Sequence, residues 1–154
     1  MADRIVVLHE GTVQQVGTPQ EVYSQPSNLH VARFMGFRNL LDLEVDQLGG
    51  PQVTLRGPGI ALTGTVKQEL PDKHAVAAIR PDEMTIGHRE APNAIAGRVE
   101  GVEYYGRDSL VDVIAESGLK LRVRTSTRVE PGHTVHVAVP PERVLVFPRE
   151  ALAS

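Results

Sequence analysis

His133-x-x-His136 is the tightest pairing of histidines in the chain, and its spacing works against a metal site. In an extended segment the two rings project to opposite faces, so they cannot share one ion. The other four histidines, His9, His30, His74 and His88, are scattered. With no cysteine in the chain there is no thiolate ligand, disulfide or thiol nucleophile. Ser109 follows Asp108, but no histidine completes a nucleophilic elbow or triad around it. A phosphate-cradling loop needs G-x-x-x-x-G-K-[ST], with glycines that let backbone amides wrap the phosphates and a lysine that reaches them. The three lysines, Lys67, Lys73 and Lys120, never follow a glycine or precede Ser or Thr. Neither a metal nor a nucleotide cofactor is expected.

What remains is charge in a repeated setting. Ala78-Ile79-Arg80-Pro81-Asp82-Glu83-Met84-Thr85-Ile86 is echoed sixty residues later by Ala138-Val139-Pro140-Pro141-Glu142-Arg143-Val144-Leu145-Val146. Each copy reads as a strand that leaves at a proline bend, where the missing N–H removes no ladder bond. An arginine fixed by a following proline is suited to an anion or to an intersubunit ion pair. Arg80, Glu83, Glu142 and Arg143 are therefore the candidate interface or anion contacts. The competing reading is an intradomain pair between Arg80 and Asp82 or Glu142. A weaker stacking platform for nucleic acid would be Tyr104-Tyr105 beside Arg107, with Leu121-Arg122-Val123-Arg124 as a basic strand. Aromatics at 4%, no tryptophan, a net charge of −3 and a pI near 6.1 all argue against it.

The elements that position these residues change in texture near residue 39. Ile5-Val6-Val7-Leu8 is a continuous apolar run, the pattern of a strand covered on both faces. A turn at His9-Glu10-Gly11 returns it as a hairpin over residues 2–17. Thr18-Pro19-Gln20-Glu21 reads as an N-cap, a first-turn proline and a capping box. Pro26 stops that helix, Ser27 caps the next, and Gly36 closes it, with Val31, Phe34 and Met35 on one face. From Asn39 onward about nine short strands alternate between apolar and polar residues, with turns every 8–12 residues, as in a sandwich or barrel. Leu41, Leu43, Val53, Ile79, Val99, Val111, Val113, Leu121, Val137 and Val146 are its expected core. No apolar run approaches the ~20 residues of a membrane span, and the N-terminus does not read as a signal peptide; a cytoplasmic protein is expected.

In order, Ala2-Asp3-Arg4-Ile5, Gly11, Gln15, Gly17-Thr18-Pro19, Glu21, Tyr23, Pro26, Val31-Ala32, Phe34 and Gly36 resemble the end of the nucleotide-binding domain of ATP-binding-cassette import ATPases. Residues 39 to about 148 resemble the TOBE domain, a transport-associated OB-fold-like barrel. The matching positions include Ile79-Arg80-Pro81, Gly97-x-Val99, Gly106, Gly132, Pro140-Pro141-Glu142 and Phe147. The family more often has Gly at Ala78 and Glu at Asp82. The resemblance implies a mainly β fold: residues 1–38 are the remnant of the catalytic domain, 39–148 the TOBE domain and 149–154 a tail.

It also implies a non-catalytic role. The Walker lysine, the Ser-Gly-Gly-Gln signature and the switch histidine precede the matched stretch in that family, and the single Gly-Gly here is Gly49-Gly50. ATP and Mg would belong to the full-length parent alone. The implied partners are a second copy, the ATPase domain and permease subunits, peripheral at the inner face of the membrane, with no nucleic acid and no membrane insertion. The linker Gly36-Phe37-Arg38-Asn39-Leu40-Leu41 is closer to the polyamine, ferric-iron and sulfate type than to the sugar type. Two alternatives stay open: a stand-alone module sensing an oxyanion or small ligand, and an OB-fold nucleic-acid binder.

Overall fold

A computed structural model of the chain describes residues 4–71, 73–116 and 118–149. Strands β1 (Ile5–His9) and β2 (Thr12–Gly17) form an antiparallel hairpin. Its turn places Glu10 and Gly11 at φ 51° and 78°, the left-handed region that such two-residue turns require. The hairpin is not covered on both faces as the apolar run suggests. Val7 is buried, whereas Val6, Leu8, Val13 and Val16 are all about half exposed or more. Val6 pairs with Val16 and Leu8 with Val13, so these four side chains make one continuous outward apolar face.

Helix α1 (Pro19–Ser24) begins as its sequence predicts. The Glu21 amide donates to Thr18 Oγ1 at 3.2 Å, and the Thr18 amide donates to Glu21 Oε1 at 3.3 Å, a closed capping box. Helix α2 (Leu29–Phe34) is capped by Asn28 rather than Ser27: Asn28 Oδ1 accepts from the Val31 amide at 3.0 Å. Gly36 follows the helix at φ 93°. Val31 is buried and Met35 half-buried, but Phe34 points outward and is 74% exposed, against its expected place on the packed face.

The remainder is two interlocked copies of one unit. The first runs β3 (Asn39–Gly49), β4 (Gln52–Gly57), β5 (Ile60–Val66), β6 (His74–Ile79), a 3-10 turn at Pro81–Glu83, and β7 (Thr85–Gly87). The second runs β8 (Ile95–Tyr105), β9 (Asp108–Ala115), β10 (Lys120–Thr125), β11 (Thr134–Ala138), a 3-10 turn at Pro141–Arg143, and β12 (Leu145–Pro148). Each unit gives its last strand to the other. β7 pairs with β11, while β12 pairs with β6 and, in parallel, with β5. The result is a closed barrel in the order β12-β5-β4-β3-β6 beside a five-stranded sheet β10-β9-β8-β11-β7. The sequence expectation of about nine strands after Asn39 omits β7, whose three residues are too few to show alternation.

The correspondence extends to defects in the ladders. β3 bulges at Asp46 and β8 at Glu100, each preceded by a valine, and a bulge bends and twists its strand. Both units share one core, and all ten residues expected there are buried within it. A smaller cluster of Leu29, Ala32, Phe37, Ala78, Leu145 and Phe147 fixes α2 to the barrel through β6 and β12.

Two asparagines hold the seams between the units. Just before β8, Asn93 sits at φ 56° and aligns with β5 like an extra strand residue. Its Oδ1 accepts from the Thr63 amide at 2.8 Å, and its Nδ2 donates to Thr63 O at 2.9 Å and Val139 O at 3.0 Å. Asn39, at the start of β3, does the same to β10. Its Oδ1 accepts from the Arg122 amide at 2.7 Å and its Nδ2 donates to Arg122 O at 2.8 Å. A primary amide offers the donor and acceptor of a peptide group on a short stem, so it satisfies strand positions that no neighbouring strand reaches.

Candidate functional site

The four charged residues singled out in the sequence lie at the two proline turns, but the structure gives them different tasks. Glu83 and Arg143 occupy equivalent positions in the two copies and face each other, with Arg143 Nε 3.6 Å from Glu83 Oε2. The pair lies between the units, as a two-fold relation between equivalent turns requires. Its side chains are 53% and 27% exposed, so the attraction is worth about 0–1 kcal/mol. Glu142 is exposed on the second turn.

Arg80 is buried, at 4% exposure. Its guanidinium lies between two rings, 3.1 Å from the Tyr23 centroid and 4.4 Å from that of Phe37. Nη2 donates to the carbonyl oxygen of Tyr23 at the end of α1, and Nε is buried without a hydrogen-bond partner among the described residues. Burial pulls the Arg80 guanidinium below its ordinary range, opposed by Tyr23, Asp82 and Glu83. Arg80 thus reaches back to the N-terminal segment. The Tyr23 hydroxyl donates to Asp82 at 3.4 Å, and Lys67 Nζ donates to Gln25 Oε1. An open cleft of about 480 Å³ borders this junction, lined by Tyr23, Met35, Arg80, Asp82, Tyr105 and Arg124 among others.

The residues weighed for nucleic acid lie on β8–β10, where Tyr105 and Arg124 also border that cleft. Tyr104 and Tyr105 are exposed at the tip of the β8–β9 hairpin, and the Tyr105 hydroxyl donates to Glu103 at 2.6 Å. That bond and the Glu103 charge raise the Tyr105 phenol above its ordinary value of 10.0. Arg122 meets Asp112 at 3.0 Å and Glu103 at 3.7 Å, Arg124 meets Asp108 at 3.9 Å, and Lys120 meets Glu100 at 3.5 Å. The hydrogen bond to Asp112 pushes the Arg122 pKa up. The basic strand is matched by carboxylates on β8 and β9 and presents no free row of cations to a phosphate backbone.

His136 lies on β11 and His133 just before it, while His9 and His30 stack with ring centroids 3.9 Å apart. Among the described residues no three side chains of His, Cys, Asp and Glu gather as a metal ion would require. No helix among them is long and apolar enough to cross a membrane.

The chain is 32% identical over 154 residues to the sn-glycerol-3-phosphate import ATP-binding protein UgpC of Chromobacterium violaceum, covering 97% of this chain and 41% of that protein. It is 34% identical to the spermidine/putrescine import ATP-binding protein PotA of Pseudomonas fluorescens, covering 97% of this chain and 40% of that protein. The chain therefore spans about two fifths of the length of these relatives. In fold it is similar to the cytoplasmic molybdate-binding protein ModG, in a structure with molybdate bound. That match has a TM-score of 0.63 at 18% identity and covers 73% of this chain and 96% of the other. Residues 77–147 match the TOBE domain family. The chain carries a TOBE domain and belongs, over nearly its whole length, with the C-terminal parts of ABC importer ATP-binding subunits.

Proposed function

We propose that the chain is the non-catalytic regulatory and dimerisation part of an importer's ATP-binding subunit, whose catalytic domain supplies ATP hydrolysis to drive solute uptake. The outward face of the β1–β2 hairpin carries this reading. Val6, Leu8, Val13 and Val16 form an apolar surface on a two-stranded sheet, which is marginal by itself in water. In the relatives this region is joined to a larger protein, and a preceding ATPase domain is the partner that would cover the face. Because the four side chains are already about half covered, burying the rest contributes on the order of 3–6 kcal/mol, about half of ~1.5–3 kcal/mol each. In the parent the chain lies in the cytoplasm, peripheral to the inner face of the membrane, beside permease subunits and a second copy of itself. ATP and Mg are bound by the parent's catalytic domain and not by this segment.

The experiment supplies the catalytic domain of the Pseudomonas fluorescens relative in trans and measures binding by calorimetry. Binding that is lost in Val6→Asp and Leu8→Asp is expected. A wild-type chain that ignores the domain refutes the reading. The molybdate-binding fold relative favours a second reading, an oxyanion-sensing module. Saturable heat with molybdate, tungstate or sulfate, and none with the catalytic domain, would select it.

A further inference from the structure

The two units make the same proline turn, but only the first carries an arginine before it. Position 80 corresponds to position 140, where the second unit has Pro140, exposed to solvent. The neighbouring features are shared: Pro81 with Pro141, Asp82 with Glu142, Asn39 with Asn93. The turn therefore folds without an arginine, and what distinguishes the first copy is its surroundings. Arg80 faces α1 and the linker, whereas among the described residues no helix lies between β7 and β8, where the second unit begins. Burying a guanidinium is costly unless its charge and donors are matched. Here the turn's own Asp82 and Glu83 supply part of the compensation, and the rest comes from outside the turn, from the Tyr23 ring and carbonyl and the Phe37 ring.

We propose that Arg80 is a junction lock, a positioning residue that holds the segment from Pro19 to Phe37 in one fixed orientation on the TOBE barrel. Its three contacts bracket that segment, with Tyr23 in α1 and Phe37 in the linker. A planar cation stacked between rings is directional in a way that the aliphatic contacts of Leu29 and Ala32 are not. Under the function proposed above, the segment ends the ATPase domain. The lock would then pass the orientation of that domain to the barrel as a rigid joint. The proposal rests on that reading for its consequence, but its test does not.

Hydrogen exchange on the intact chain reads the lock directly. In Arg80→Met, amides of α1 and α2 such as Val22, Gln25 and Ala32 are expected to lose about tenfold or more of their protection. Those of β4 and β9 should stay within about twofold. Tyr23→Leu removes one ring from the other side of the joint and should reproduce the pattern in weaker form. Val113→Ala, a core truncation, should instead lower protection across the barrel without singling out the helices. Unchanged helix protection in Arg80→Met would overturn the proposal while leaving the assignment to an ATPase subunit intact. A uniform loss across barrel and helices in both junction variants would overturn it too, by making Arg80 an ordinary core residue. Failure of the trans-binding experiment would instead remove the ATPase reading and leave the lock standing.

Discussion

Replacing Asn93 by alanine tests whether a side-chain amide closes a seam between the two units. The substitution removes three hydrogen bonds, to the Thr63 amide, Thr63 O and Val139 O. At ~0.5–1.5 kcal/mol net for each bond, that is about 1.5–4.5 kcal/mol. Alanine must also hold φ at 56°, which costs about 1–2 kcal/mol for an L-residue with a Cβ. The sum is roughly 2.5–6.5 kcal/mol, a large share of the 5–15 kcal/mol typical of a domain. Asn93→Gly loses the same bonds but not the backbone preference, so it should be milder by the conformational part. Asn93→Asp keeps the acceptor toward the Thr63 amide but turns both donors into lone pairs facing carbonyls, so it should be at least as harmful as glycine. Urea denaturation followed by circular dichroism gives the three differences. A cost below ~0.5 kcal/mol for Asn93→Ala would refute the reasoning, because either the bonds or their partial burial would then be absent in solution.

Truncation in the core, Val113→Ala or Val137→Ala, is expected to cost roughly 1–3 kcal/mol each by thermal denaturation, and near-zero effects at both sites would mean wrong registers. The Tyr105 phenol should titrate above 10.0 because the Glu103 carboxylate favours its neutral, donating form. The contribution of this bond is present below the ordinary phenol value and is lost as pH rises through the elevated one. Ultraviolet difference titration should show the Tyr105 step moving down in Glu103→Gln, and no movement would contradict the bond. The full chain is expected to self-associate, through the exposed hairpin face or through the barrel. Light scattering after deletion of residues 1–36 separates the two, and a monomer at high micromolar concentration for the full chain would defeat both.

The barrel core was legible because alternation is a local signal: every second residue of Leu41, Leu43 and of Leu121, Val123 points inward whatever the strand pairs with. The exchange of β7 and β12 was not, since pairing between strands distant in sequence leaves no local trace. The repeat around Pro81 and Pro141 pointed to it, and extending that comparison would have found Asn39-x-Leu41-x-x-x-Val45-Asp46 against Asn93-x-Ile95-x-x-x-Val99-Glu100. Arg80 was recognised as a special position, but its partner Tyr23 lies 57 residues away, and a ring stack has no spacing rule. For Ile5 to Leu8, composition suggested two covered faces. Only the Val7 side is covered, because among the described residues no other element meets the outward side.

The central claim is that this segment completes an importer's ATP-binding subunit without itself doing chemistry. A chimaera tests it most directly: the aligned C-terminal part of the Pseudomonas fluorescens spermidine/putrescine relative is exchanged for this chain, and labelled polyamine uptake is measured in cells that lack the native subunit. The account predicts uptake well above that of the relative truncated before the same point, with no ATP hydrolysis from this chain alone. A chimaera that is folded and expressed yet transports no better than the truncated subunit would contradict it.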